Sequence, residues 1–281
     1  MERKIKSVMT YRLNDPEETI DQGYLNSVTR YDENGNIIED IKYSGPNEIE
    51  SKVIAKYNEQ GEILEEINYM TEDEVAEKLS YFRDEQGKVN RIHIEYADGS
   101  LSVKEYFRSE KEIRIEIADD EEGHEGREIL CFDNNDNLIE KIIYNEDDEL
   151  VERETRIFDE ANRVVNRKEF DADDKLAMEV NYTFDAHGNL LKFLKTNDKN
   201  EIIERIIFSY DEAGRLIEQQ AGDYYLVKFL YDTESRIKTE ERYDKSGLLQ
   251  YTMTSFFDEN DLVVEEVNPI YTIRYIYEFR E

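Results

Sequence analysis

Acid–base, nucleophilic and metal chemistry draw on few side-chain types, and this chain of 281 residues is rich in only one of them. It carries 69 Asp and Glu residues, three histidines and a single cysteine, Cys131. A lone cysteine excludes an intramolecular disulfide and a Cys-based zinc site. His187 occupies a variable turn slot where other copies of a repeat have Asn34, Gln60, Gln86 or Ala213, and it reads as an exposed turn residue. His93 alternates within a strand over 89–96 and reads as a sheet-face residue. His124 stands in an acidic, irregular stretch, 118–126, the longest interruption of the repeat and the best placed for a functional loop. No nucleophile elbow or Cys-x-x-Cys accompanies these residues. The carboxylates single out no pair held at the fixed separation that a glycosidase needs.

Asp32-x-Asn34-x-Asn36 and Asp133-x-Asn135-x-Asn137 imitate the start of an EF-hand loop. Position 12 would fall on Tyr43 or Tyr144, where that loop needs a bidentate Glu. Turn closure explains these residues without calcium, so neither a metal nor a cofactor is expected. Two features suit binding. Glu39, Glu65, Glu140, Glu218 and Glu265 recur four residues beyond a turn, with Asn166 and Lys192 in equivalent copies, and are expected to form a row across one face. On a convex face that row is a solvated stripe; on a concave face it is an acidic trough. Tyr224 and Tyr225 lie in a shortened unit and could stack a sugar ring, although the chain has no Trp.

The elements that position these residues follow from composition and period. Lys and Arg number 36 against the 69 acids, a formal charge of -33 at pH 7. Such a charge repels nucleic acid and anionic lipid surfaces, which need clustered Lys or Arg. Hydrophobic residues are only 38% and mean hydropathy is -0.82, low for a chain with a thick core. Yet 11% aromatic residues and three prolines are the opposite of a disordered tail. No apolar run reaches the length of a signal peptide or a membrane-spanning helix, so the sequence as given is expected to be cytoplasmic.

A repeat dominates. Tyr31-Asp32-Glu33-Asn34-Gly35 recurs as Tyr57-Asn58-Glu59-Gln60-Gly61, 26 residues on, and Phe132, Phe158, Phe184 and Tyr210 begin further copies at the same interval. Tyr231-Asp232 and Phe257-Asp258 are another pair 26 apart. Half-repeat aromatics, Tyr43, Tyr69, Tyr144, Phe170 and Tyr243, follow 12 residues after an anchor. The second slot is an Asp or Asn that can bond backbone amides two residues on, and the fifth is Gly, Asn or Asp, which tolerate positive φ. Pairs such as Ile37-Ile38, Ile63-Leu64 and Leu216-Ile217 then start a strand, with one apolar residue on each face.

The unit is thus one turn and one strand, and the chain is predicted to be all-β: an antiparallel meander of roughly 18 to 20 short strands. A flat sheet of that size would be on the order of 90 Å wide, so it is expected to curl into a solenoid-like single sheet. The expected organisation is an N-terminal cap at 1–22, a repeat sheet at 23–267 and a capping strand at 268–281.

Tyr210-Asp211-Glu212-Ala213-Gly214-Arg215-Leu216, with weaker copies over about 24–267, resembles the YD repeat of rearrangement-hotspot (Rhs) and teneurin-type proteins. The resemblance implies a curled strip of β-sheet, of the kind that winds into a shell around a toxin. The chain lacks the Asp-Pro-Gly core motif, so self-cleavage does not carry over. The expected function is non-enzymatic: a curved acidic surface for a basic protein partner, with no nucleic acid or membrane partner. Family analogy extends this to an immunity or carrier partner of a secreted toxin. The alternative is a carbohydrate-binding module using Tyr224 and Tyr225.

Overall fold

The computed structural model describes residues 4–119 and 123–280. The strands run, in order, β1 Ile5–Leu13, β2 Tyr24–Tyr31, β3 Ile37–Gly45, β4 Glu48–Tyr57, β5 Ile63–Tyr69, β6 Val75–Arg83, β7 Val89–Tyr96 and β8 Leu101–Arg108. They continue as β9 Glu112–Asp119, β10 His124–Phe132, β11 Leu138–Tyr144, β12 Leu150–Phe158, β13 Val164–Phe170, β14 Leu176–Phe184, β15 Leu190–Asn197 and β16 Ile202–Tyr210. The last are β17 Leu216–Ala221, β18 Tyr225–Asp232, β19 Ile237–Asp244, β20 Leu249–Phe257, β21 Val263–Val267 and β22 Thr272–Phe279. A single 3-10 turn, Ile20–Gln22, interrupts the connection between β1 and β2.

The turns build the repeat. In 32–36 the Asp32 amide donates to the Asn36 carbonyl at 2.9 Å and the Gly35 amide to the Asp32 carbonyl at 3.2 Å. Asp32 Oδ1 accepts from the amides of Asn34 and Asn36 at 2.8 and 2.9 Å. This is a type I turn closed by a left-handed residue and a bulge. Gly35 has φ +91°, and Asp136, Asn162 and Asp261 adopt φ near +60° in the same slot. The bulge appears as a register shift beside most such turns, for example at Arg30/Tyr31, and is missing at 96–100.

Consecutive strands pair antiparallel throughout, and β1 pairs with both β2 and β22, from Ile5 opposite Phe279 to Leu13 opposite Thr272. The sheet is therefore a closed barrel of 22 strands, which corrects the expected open, solenoid-like meander of 18 to 20. The segments expected to cap an open sheet, 1–22 and 268–281, instead supply β1 and β22, each other's partners. Stagger makes closure possible. The paired residues Arg30, Glu39, Ile54, Ile67, Lys78, Glu95 and Leu101 start near one end of β2 and finish at the opposite end of β8. Such drift tilts every strand against the barrel axis, and tilt with stagger is the condition for a sheet to meet its own edge.

The wall is one layer thick. Accessible surface is 18087 Å², against about 12,700 Å² for a compact protein of this mass. At about 4.8 Å per strand, 22 tilted strands enclose a ring on the order of 40 Å across. Tracing the pairings puts Thr10, Ala55, Ile92, Ile94, Ser102, Ile115, Val180, Ala221, Val227 and Ser255, all buried, on one face; the other holds fewer buried residues, Ser7, Leu13, Val28, Ile41, Thr196 and Thr272, and the exposed Phe82, Phe107, Ile157, Ile207 and Leu230, so the first face is the more crowded. That is the inner face, where curvature crowds side chains. Burial is spread thinly along the wall, and the described residues form no central core.

Candidate functional site

The barrel has two rims. The anchor rim holds the turns 32–36, 58–62, 84–88, 133–137, 159–163, 185–189, 211–215 and 258–262, and the far rim holds the alternate connections. On the anchor rim the repeat aromatics Tyr31, Tyr57, Phe132, Phe158, Phe184, Tyr210 and Tyr231 lie on the inner face. Tyr210 and Tyr231 donate their hydroxyls to the carbonyls of Leu190 and Leu216, each at 2.9 Å. Burial pushes both phenols above their ordinary pKa. Arg163 and Arg215 cover the rings of Phe184 and Tyr231 at 4.6 and 4.7 Å.

The half-repeat aromatics of the far rim point the other way. The bulge beside the preceding turn shifts strand alternation by one residue, so Tyr43, Tyr69, Tyr144 and Phe170 emerge on the outer face; Tyr243 emerges there too, after a β18–β19 turn that has no bulge. Lys52 covers Tyr69 at 4.4 Å, Arg127 covers Tyr144 at 4.4 Å and Arg153 covers Phe170 at 3.9 Å.

The five repeat glutamates do share one face, and it is the convex outer one. Four of them are ion-paired there, and the fifth, Glu218, faces a lysine in the register. Glu39 pairs with Arg30, Glu140 with Arg153 at 3.2 Å and Glu265 with Arg274 at 3.2 Å. Glu65 lies 2.5 Å from Lys56 and 2.9 Å from Lys78, and these two hydrogen bonds, Lys56 first, hold its carboxyl below the usual range. Glu218 is directly opposite Lys228 across β17 and β18. The row is a largely ion-paired stripe, and the acidic trough required by a concave placement does not form.

Tyr224 and Tyr225 do meet other residues of interest. Tyr224 closes the β17–β18 turn, with its amide 3.0 Å from the Ala221 carbonyl. The two tyrosines line a groove of about 480 Å³ with Glu240, Arg242, Asp244 and Tyr251. Arg242 stacks on Tyr225 at 4.2 Å. Tyr251 and Glu240 join the site through cross-strand register, for which the sequence order carries no signal.

His124 opens β10 opposite Ala118, so much of the stretch expected to be irregular is strand; residues 120–122 lie outside the described residues. Its Nε2 is 3.5 Å from Asp148 Oδ1 and its Nδ1 is 4.0 Å from Glu116. Asp148 is bound more tightly by Arg127, at 2.6 Å. His93 sits 4.7 Å from the Phe82 ring on the outer face. His187 donates its amide to Asp185 Oδ1 at 2.8 Å, a turn contact only. Cys131 lies between Glu112 and Glu140 in the pairing, and burial, then those two charges, raises its thiol pKa and disfavours the reactive thiolate. In the calcium-like turns the carboxylate oxygens are already taken: Asp32 Oδ2 accepts from Asn36 Nδ2 at 2.8 Å, and Asp133 Oδ2 from Asn137 Nδ2 at 3.0 Å.

No protein-family model and no curated protein matches the chain. Among solved structures it is similar to TcdB2-TccC3-Cdc42, at 12% identity and a TM-score of 0.45 over 87% of this chain and 15% of that one. A TcdB2-TccC3 structure matches at 11% identity and a TM-score of 0.44, over 87% of this chain and 16% of that one. A porin-like protein from Bacteroides uniformis ATCC 8492 matches at 8% identity and a TM-score of 0.34, over 98% of both chains. The chain spans about a sixth of the TcdB2-TccC3 chains. At these TM-scores the likenesses carry no functional inference, and the all-β barrel stands on its own strand pairing.

Proposed function

We propose that this chain is a non-enzymatic interaction protein, a closed repeat barrel whose acidic rims bind a basic protein. The observation that carries this is where the charge lies. Arg30, Lys56, Lys78, Arg153 and Arg274 are engaged by wall carboxylates, so the excess behind the net charge of -33 falls on the turns that edge the barrel. A field of that sign accelerates encounter with basic partners and repels nucleic acid. The outer face also carries ionisable residues at mid-strand, Arg91, Arg127, Lys192 and Arg205 among them. Lipid-facing Arg or Lys at the bilayer midplane costs about 2–4 kcal/mol each, which supports a barrel that works in water.

The finer family assignment, a YD-repeat relative, rests on Tyr210–Leu216 and its copies. By that analogy the partner is a secreted toxin and the barrel its immunity or carrier protein. The test is capture on the immobilised chain from lysate of its native source, washed at 50 and then 500 mM salt. A single basic protein released by salt supports the proposal; retention of acidic proteins only, or none, removes it.

A second function is favoured by the groove at Tyr224 and Tyr225, where aromatic rings stand beside Glu240 and Asp244, the mixture a saccharide uses for stacking and hydroxyl bonding. Glycan-array binding that disappears in Tyr224→Ala and Tyr225→Ala would establish it, and silence of the wild-type chain on the array would dismiss it.

A further inference from the structure

The far rim is divided in its chemistry. Four connections on it hold a large apolar side chain clear of the wall: Ile202 beyond the β15–β16 turn is 61% exposed, Tyr224 before β18 76%, Leu248 before β20 62% and Ile270 before β22 71%. Ile203 and Leu249 stand exposed beside two of them. The four connections are successive on this rim, because every second gap between strands opens there. Six strand steps of about 4.8 Å make the arc roughly 30 Å long. Single exposed apolar residues are ordinary, but a row along one edge marks a contact surface. The anchor-rim tips Glu33-Asn34-Gly35, Glu59-Gln60-Gly61 and Glu212-Ala213-Gly214 carry no large apolar residue, and the apolar residues just after anchor-rim turns, Ile37, Leu64, Leu191 and Ile217, are less exposed than the four of the arc, as are Met70 and Val151 elsewhere on the far rim.

Directly before this arc in strand order the same rim turns acidic. The connection after β11 contains Glu146, Asp147, Asp148 and Glu149, and the one after β13 contains Asp171, Asp173 and Asp174, with Lys175 as the one basic residue of the two turns. Lys175 is paired with Asp173 at 2.7 Å, and two strand arginines reach the same turns, Arg127 to Asp148 at 2.6 Å and Arg153 to Asp174 at 2.7 Å; Glu146, Asp147, Glu149 and Asp171 are in no ion pair among the described residues.

We infer that the far rim is the docking surface for a bipartite segment of a partner protein: an amphipathic helix on the apolar arc, continued by a Lys/Arg-rich stretch on the acidic arc. The inference rests on the acidic-surface proposal and adds a place and a shape. A helix of about 20 residues is about 30 Å long, and ten extended residues add roughly 30 Å, which together follow both arcs. Leu248, Ile270, Tyr224 and Ile202 supply the groove-type apolar anchoring that gives affinity, and the acids set direction and speed of approach. Charge complementarity selects this occupant. A second copy would bring its own acidic rim against this one, and an anionic bilayer would meet the same repulsion.

The test is fluorescence anisotropy with a labelled 30-residue probe: a 20-residue Leu/Gln amphipathic helix followed by ten residues rich in Lys and Arg. A second probe keeps the basic ten and replaces the helix with Gly/Ser. The expected result is that the full probe binds at least tenfold more tightly than the second, and that Leu248→Ser with Ile270→Ser removes this advantage. Glu146→Gln with Asp147→Asn and Asp173→Asn should weaken both probes at 50 mM salt and hardly at all at 500 mM. All substituted residues sit in turns or at strand ends, and an unchanged thermal midpoint verifies folding; single Leu248→Ser serves if the double variant melts early. Equal binding of both probes, untouched by the apolar-arc variant, overturns the inference and leaves the acidic-surface proposal standing. Failure of either probe to bind at low salt defeats both. Co-sedimentation with phosphatidylcholine vesicles, or a dimer in sedimentation velocity, that the apolar-arc variant abolishes would assign the arc to a bilayer or to a second copy and overturn the inference as well.

Discussion

On the anchor rim the repeat aromatics before the turns, such as Tyr210 and Tyr231, face the lumen, with Phe82 beside 84–88 an exception, whereas on the far rim Tyr69, Tyr144 and Phe170 face outward. The turns themselves are alike: Asp211 and Asn145 each accept two backbone amides with one side-chain oxygen, at 3.0 and 2.9 Å for Asp211 and 3.1 and 2.9 Å for Asn145. The difference comes from the bulge, which moves the alternation by one residue at most reversals, for example at Ser209/Tyr210 and Ile143/Tyr144. Inside, Tyr210 and Tyr231 are sheltered and tied by their hydroxyls to a neighbouring carbonyl, and Tyr231 is also covered by Arg215. Outside, Tyr69, Tyr144 and Phe170 are covered by one cation each. The anchor rim is built to hold the wall, and the far rim is left free to vary, which is where the exposed Tyr224, Leu248 and Ile270 occur.

If that division is right, the largest loss should follow removal of an inner anchor. Tyr210→Ala removes a sheltered ring and leaves the Leu190 carbonyl without its hydroxyl, and should cost about 2 kcal/mol in urea unfolding. Tyr144→Ala on the far rim removes a ring covered by Arg127 and should cost about 1 kcal/mol. Equal losses at the two sites would abolish the distinction between the rims.

The shared turn can be broken alone. Asp211→Ala should lower the denaturation midpoint, while Asp211→Asn should preserve it at neutral pH, since Asn58, Asn145 and Asn197 fill the same slot. The Asp211 carboxyl is held below its ordinary pKa, first by the Arg215 backbone amide and then by the Arg215 side chain. A lowered folded-state value means that this stabilisation is complete above the unfolded carboxylate range, about pH 4, and is lost as pH falls through the folded value. Thermal melts from pH 7 to pH 3 should therefore keep the wild-type and Asp211→Asn midpoints together at neutral pH and drop the wild-type midpoint below that of Asp211→Asn only at the acid end. The smallest effect concerns both rims at once. With a charge of -33, raising salt from 20 to 300 mM should screen repulsion between the turns and lift the midpoint by a few degrees.

Much of the local structure was legible in the residues. Tyr57-Asn58-Glu59-Gln60-Gly61 and its copies named the turns, their hydrogen bonds and the residues that take positive φ, because these depend on neighbours within five positions. The common face of Glu39, Glu65, Glu140, Glu218 and Glu265 was legible too, since they fall at one position of a regular repeat. Their neutralisation was not, because Lys56, Lys78, Arg153 and Arg274 reach them across strands. The groove around Tyr224 gained Tyr251 and Glu240 in the same way.

Closure is the clearest case of what lay beyond the sequence. Strand, turn and 26-residue period are local preferences, set by side-chain alternation and by which residues tolerate a left-handed backbone. An open curl and a closed ring satisfy every one of those preferences equally. Which of them forms depends on the tilt and stagger accumulated over all 22 strands, and here that sum brings Ile5 opposite Phe279 and Leu13 opposite Thr272. Closure in turn decided which face is convex, turned an acidic row into an ion-paired stripe, and ordered the turn residues of distant repeats into two arcs on one rim. The pattern of single residues is written along the chain, but curvature and adjacency are properties of the whole sheet.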